Sequence, residues 1–296
     1  MDLSFTEEQD LLRQTIRDVL GKFSSPEIVR ELEDSEPGYR EDLWEELGRQ
    51  GLLGLAISEE HGGSGMTPLE QVILYEEFGR ALTASPHLVS CVLAARLVPV
   101  DLLSDIASGE RIVTVAWHEP DASSGPEGIR LAADNDELTG TKILVPFAAA
   151  ANALVVLGQT DGKPGLFLVE AGAPGLSIRH TPDMAAGAVY EVTFAGTPAR
   201  RLNGGWEAFE DALTDALIAV AAFAVGGAER AHEMAVEYAK ERRQFGRAIG
   251  SFQGLAHPLA ETATEIQGAK VLVYEAAWAR GNRSTVGPLA AMAKLY

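Results

Sequence analysis

The chain has 296 residues, 46% apolar and 23% charged, with 43 acidic against 24 basic side chains and a formal charge of −19. This length allows one to three domains, and the acidity argues against nucleic-acid binding, which needs a basic surface, and against attraction to anionic membrane. The single cysteine permits no internal disulfide, the longest apolar run (Ala216 to Ala228) falls short of the roughly 20 residues of a bilayer span, and the acidic start MDLSFTEEQD lacks a signal-peptide layout; a cytoplasmic enzyme or enzyme subunit is expected.

From Phe5 to about Gly109 the pattern is helical. Leu11, Leu12, Ile16, Val19 and Leu20 recur at steps of three and four and are predicted to share one face. Thr6 with Gln9 three residues later reads as an N-cap and its capping-box partner. Leu43, Trp44, Leu47 and Leu52 extend the apolar pattern to the loop HGGSG, after which Leu69 to Leu82 and Leu88 to Leu103 are predicted as two helices. Cys91 falls inside the second of these, as a small buried thiol.

Between about Arg111 and Leu202 the period changes. RIVTVAW, ALVVLG, GLFLVEA and VYEVTF are short β-forming runs, and Asn135-Asp136 and Asp161-Gly162 are turn signals. An antiparallel sheet or barrel-like domain is expected there. Helix then returns: Leu213 to Arg242, interrupted only by Gly226-Gly227, then Leu255 to Arg280, then a run from Val286 to Tyr296. The glycine pair suits either close helix approach or simple tolerance. The final run lacks a stop signal, which suggests a truncated chain. The expected class is α+β multidomain: a helical domain over 1–109, a β domain over 110–203 and a helical bundle over 204–296.

No G-x-S-x-G, P-loop, H-E-x-x-H or C-x-x-C occurs, and no histidines are spaced as a metal pair, so no metal site is expected. One feature departs from the acidic background. Arg242, Arg243 and Arg247 crowd a short loop with Phe245, Gly246, Gly250 and Gln253. Arginine forks suit phosphate, glycine lets backbone approach a ligand, and phenylalanine offers a face to a ring. The same arginines could instead complement a helix C-terminus.

The string YAKERRQFGRAIGSFQ, Tyr238 to Gln253, resembles the hallmark loop of the acyl-CoA dehydrogenases. FTEEQ at Phe5, GLLGLAISEEHGGSG at Gly51 and YEEFGRA at Tyr75 resemble further landmarks, in order, along essentially the whole chain. The resemblance implies the α–β–α fold of that family and a FAD cofactor. It also implies an acyl-CoA substrate desaturated at its α and β carbons, and an electron-transfer flavoprotein as acceptor. Carried over by motif, Arg242 would hold the FAD pyrophosphate of a neighbouring subunit, with Phe245 and Gln253 enclosing the same flavin.

Departures from the pattern are concentrated in the β segment. Where the family has T-E-P-x-x-G-S-D, this chain reads HEPDASSG; His118 takes the flavin-side threonine position and Ser124 a substrate-side position. Where G-x-K-x-W-I-T is usual, Gly140 and Lys142 match but Leu144-Val145-Pro146 replaces the rest. The usual glutamate base is missing: Ala216 stands at one family position, Asp215 beside it is turned about 100° away, and the other position would lie beyond Tyr296. The catalytic residue is thus unassigned. Three readings follow: a subunit that completes a flavin site with a related chain, a self-sufficient homo-oligomer with its glutamate further on, or a non-catalytic scaffold.

Overall fold

The computed structural model of the chain describes residues 5–33, 35–120, 123–184, 187–282 and 286–296. The elements in order are α1 (Glu7–Phe23), α2 (Pro26–Glu33), α3 (Glu41–Arg49), α4 (Pro68–Arg80), α5 (Leu103–Ser108), β1 (Val113–Ala116), β2 (Ala132–Asp134), β3 (Glu137–Pro146), β4 (Ala153–Thr160), β5 (Lys163–Glu170), β6 (Leu176–Thr181), β7 (Val189–Pro198), β8 (Arg200–Gly205), α6 (Trp206–Glu241), β9 (Arg243–Gln244), β10 (Arg247–Ala248), α7 (Gln253–Gly281) and α8 (Gly287–Leu295). The α–β–α order read from periodicity stands. No helix among the described residues is long and apolar enough to cross a membrane.

Two compact units are built from non-adjacent stretches: residues 1–24, 67–83 and 217–296 in one, 25–66 and 84–216 in the other. The first is a helical bundle. Its α1 starts with the predicted capping box, Gln9 N–H donating to Thr6 Oγ1 at 3.2 Å and Thr6 N–H to Gln9 Oε1 at 3.1 Å. Ile16, Val19 and Leu20 are buried, but Leu11 is 68% exposed, which corrects the predicted face. Nine residues at about 100° each set Leu11 opposite Leu20. On α4 every position from Gln71 to Gly79 is buried, including Glu76 and Glu77. These carboxylates are tied to α1, Arg13 reaching Glu76 at 2.8 Å and Arg17 reaching Glu77 at 2.7 Å. The Gly226-Gly227 pair serves close approach: a Cβ on Gly226 would lie 1.9 Å from the Glu76 carbonyl oxygen, and one on Gly79 would lie 1.9 Å from that of Phe223.

The second unit holds the main sheet. Its strands run β6-β7-β3-β2-β4-β5-β8, with β1 beside β4. Both turn signals form hairpins, with positive φ at Asn135, Asp136, Asp161 and Gly162; paired left-handed residues match the twist of the flanking strands. The sheet is open rather than closed, and two pairings, β1 with β4 and β2 with β4, are parallel, where an antiparallel or barrel-like sheet was expected. Leu154, Val156, Phe167, Val169, Val192 and Phe194 form its apolar centre.

Two helix predictions need correction. The run from Leu88 to Leu103 is not one helix but a π-helical turn (Leu88–Leu93), a 3₁₀ turn (Ala94–Arg96), a break, and a second 3₁₀ turn leading into α5. Pro99 lies at the break; it lacks an N–H and its ring clashes with the carbonyl four residues back. The long third-segment helix begins at Trp206, seven residues before the predicted start. Cys91 is buried, as read, and burial raises its thiol pKa far above the ordinary value.

Candidate cofactor-binding site

The arginine-rich loop is a miniature hairpin. Following α6, β9 and β10 pair with Gln244 opposite Arg247 and Arg243 opposite Ala248. Phe245 and Gly246 make the turn with φ of 51° and 79°. A phenylalanine with positive φ is uncommon, and such backbone costs on the order of 1 kcal/mol. The turn nevertheless leaves Phe245 91% exposed, edge-on to Phe252 at 6.0 Å between centroids. The Arg247 guanidinium lies over the Phe252 ring at 4.0 Å. Arg242 closes the loop through its backbone: its N–H donates to Tyr238 O, and its O accepts from Ile249 N–H, both at 2.8 Å.

Gln253 is the first residue of α7, and both it and Arg242 are exposed. No acid stands in the first turn of α7, and none occurs from Arg242 to Gln253. Arg242, Arg243 and Arg247 make no ion pair among the described residues, although Arg80 and Arg230 on the same unit both reach Glu233. Unpaired guanidiniums, a helix N-terminus and a bare aromatic face together suit a phosphate joined to a ring system. The three residues carried over by motif, Arg242, Phe245 and Gln253, thus fall on one hairpin and the helix start behind it.

His118 and Ser124 lie on one loop of the other unit. Its frame is a buried ion pair: the Lys142 ammonium on β3 donates to Glu119 Oε1 at 2.6 Å and to Trp117 O at 3.1 Å. Glu119 Oε1 also accepts the N–H groups of Arg130 and Leu131, each at 3.0 Å. Ile143 N–H donates to His118 O at 2.9 Å. Lys142 is fully buried, and burial pushes its pKa down to about 8, against the opposing pull of Glu119. The His118 ring packs on Trp117 at 4.8 Å, and Trp117 on Phe209 at 5.5 Å. Burial first, and then the Lys142 charge, lower the His118 pKa, which favours a neutral imidazole. Ser124 is exposed; Asp121 and Ala122 of the same motif lie outside the described residues.

This frame explains the sequence pattern. The residues that match the motifs, Glu119 and Lys142, are its buried anchors. Of the residues that depart from them, Ser124 and Leu144 are exposed while Val145 is buried in the sheet's apolar centre. Leu144 is 52% exposed at a bulge between Lys142 and Val145, with φ of 52°, and Pro146 has no N–H to offer while its carbonyl oxygen accepts from Thr114 Oγ1 at 2.5 Å. Leu144 and Pro146 therefore offer no side-chain donor to a ligand, and Pro146 no backbone donor. The unpaired arginines of the hairpin suit the phosphate end of FAD, whereas Leu144 and Pro146 give its ring no donor.

Asp215 is not a free base. It pairs with Arg96 at 3.4 Å, which also holds Asp211 at 2.8 Å, and Ala216 beside it is buried and carries no ionisable group. The Glu119–Lys142 anchor was visible in the sequence only as matching letters. The roles of Trp117 and Phe209 carried no motif signal at all.

Residues 6–100 match the acyl-CoA dehydrogenase N-terminal domain and residues 203–296 the acyl-CoA dehydrogenase C-terminal domain. "Acyl-CoA dehydrogenase FadE27" of Mycobacterium tuberculosis is 33% identical over 288 residues, covering 94% of this chain and 77% of that protein. The solved structure titled "Tcur3481-Tcur3483 steroid ACAD G363A variant" contains a chain 35% identical with a TM-score of 0.88, over 97% of this chain and 82% of that one. A chain of the ChsE4-ChsE5 complex from Mycobacterium tuberculosis is 32% identical with a TM-score of 0.88, over 99% and 83%. The chain belongs to the acyl-CoA dehydrogenase family of oxidoreductases.

Proposed function

We propose that this chain is a subunit of a FAD-dependent acyl-CoA dehydrogenase that desaturates a fatty-acyl or steroid side-chain acyl-CoA thioester between its α and β carbons, with a related chain completing the flavin site. The observation that carries this reading is the asymmetry between the two halves of the motif set: the hairpin with Arg242, Phe245 and Gln253 is intact and unpaired, while the β segment offers Leu144 and Pro146 in place of ring-side donors. Two of the similar structures are, by their titles, assemblies of paired, separately named chains, which supports a composite site. FAD supplies hydride acceptance when bound. This chain's part is to grip the pyrophosphate through Arg242, cover the cofactor with Phe245 and orient it from Gln253. His118, a neutral donor and acceptor, stands at the flavin side of its loop, and Ser124 faces substrate. Electrons leave to an electron-transfer flavoprotein.

The test is a visible absorption spectrum of the purified chain, alone and co-expressed with a related chain. Flavin only in the co-expressed complex, lost on Arg242→Gln, is the expected result. Flavin and turnover in this chain alone would instead make it a self-sufficient homo-oligomer. No flavin in any assembly would leave a scaffold.

A further inference from the structure

The register of the hairpin sorts its three arginines. Residues opposite one another in an antiparallel pair leave it on the same side, and alternate residues along a strand share a side. Arg247 pairs with Gln244, and Arg243 with Ala248. Arg242, two residues before Gln244, continues the ladder by one rung, its O accepting from Ile249 N–H at 2.8 Å. Arg242 and Arg247 therefore share one face of the hairpin, and Arg243 leaves by the other.

Arg247 is also held in place, although its side chain is exposed. Its guanidinium lies 4.0 Å over the Phe252 ring. Phe252 is the half-buried N-cap of α7, and its N–H donates to Ile249 O at 3.1 Å. The Arg247 charge is thus brought to the start of α7, where Gln253 is the next residue. A ring engages the flat face of a guanidinium, so the N–H groups along its edge stay available to an anion. A long side chain that is already seated also loses less rotamer freedom when the anion binds.

We propose that Arg247, seated on Phe252, is a second phosphate-binding residue of the cofactor site: Arg242 takes one phosphoryl group of the FAD pyrophosphate and Arg247 the other. This rests on the flavin site proposed above and extends it to a residue that the motif did not assign. Each phosphoryl group of a dinucleotide presents two free oxygens, which is what one arginine fork pairs with. Two forks on one face match the two groups. Phe252 is then a positioning residue that acts through Arg247.

FAD titrated into the co-expressed complex after its flavin has been dialysed away, and followed by flavin fluorescence, tests this. R247Q is expected to weaken FAD binding by roughly tenfold or more. F252L, which keeps the charge but removes its seat, weakens it by about two- to fivefold. R247K restores the charge without the planar fork and falls between R247Q and the parent. R243Q costs less than R247Q, and K240Q, which removes one charge from the last turn of α6, changes affinity by no more than about twofold. ADP, which has the pyrophosphate but no flavin ring, competes with FAD and loses affinity on R247Q in the same proportion. An unchanged FAD affinity in R247Q overturns the inference, as does a loss that K240Q or R243Q equals, or one that ADP does not share. In each of those cases a loss of FAD on R242Q leaves the composite flavin site standing. A complex that binds no FAD at all overturns the flavin site and this inference with it.

Discussion

Replacing Lys142 by methionine isolates the frame beneath the His118 loop. The fall of its pKa from 10.5 to about 8 corresponds to about 3 kcal/mol against the ammonium, at about 1.4 kcal/mol per tenfold. Burial thus outweighs the attraction of Glu119, and the pair holds geometry rather than adding stability. Removing only the lysine is a different matter. The Glu119 carboxylate keeps the N–H groups of Arg130 and Leu131 but loses its counter-charge, and Trp117 O loses its donor. Breaking a buried pair from one side typically costs 3–5 kcal/mol; with two N–H groups retained, about 3 kcal/mol is expected for K142M. E119Q/K142M, whose amide oxygen can keep both N–H bonds without a buried charge, is expected within about 1 kcal/mol of the parent. Urea unfolding followed by far-ultraviolet circular dichroism measures both variants, and hydrogen exchange at Ile143 N–H reports the bond to His118 O directly. A single variant within about 1 kcal/mol of the parent, or a double variant as poor as the single, would refute the reasoning.

The same group sets a pH dependence. Because its pKa in the folded state is depressed, the unfolded chain binds more protons between about pH 8 and 10.5, and stability rises with pH in that window; the gap between parent and K142M should widen there, and a gap that is flat or narrows in matched urea titrations would contradict it. Phe245→Gly removes the positive-φ phenylalanine and is expected to stabilise the isolated chain by about 0.5–1 kcal/mol while weakening flavin retention in the complex; a lower melting temperature would argue against strain at the turn. Gly226→Ala forces a methyl to 1.9 Å from the Glu76 carbonyl oxygen and should cost about 1–3 kcal/mol or more. Substituting the open Gly254 by alanine in the same melting assay should cost nothing, and equal losses at both sites would dismiss close approach. Arg96→Ala removes the ion pair to Asp215 and should create no turnover in the co-expressed complex; a gain in activity would restore Asp215 as a base.

Local chemistry was legible wherever it acts within a few residues. Thr6 and Gln9 form their box because both partners lie in one helical turn, and Asn135-Asp136 and Asp161-Gly162 turn because those residues accept left-handed backbone. Period alone separated helix from strand, and alternation along β7 shows in its burial. The prediction for Leu88 to Leu103 failed because apolar spacing does not register the break that Pro99 imposes. Leu11 was misplaced because a three-to-four spacing tolerates outliers that a fixed 100° per residue does not.

What the sequence determined by itself was the order of elements, the caps and hairpin turns, and an arginine-rich loop without acids. Each is set by the torsional preferences and charges of neighbouring residues. What only the tertiary structure decided was the partner of each buried charge. Glu119 and Lys142 meet across separate strands and loops, and Asp215 is held by Arg96. Such pairings depend on which distant segments share a compact unit, and burial then fixes whether a charge must find a partner.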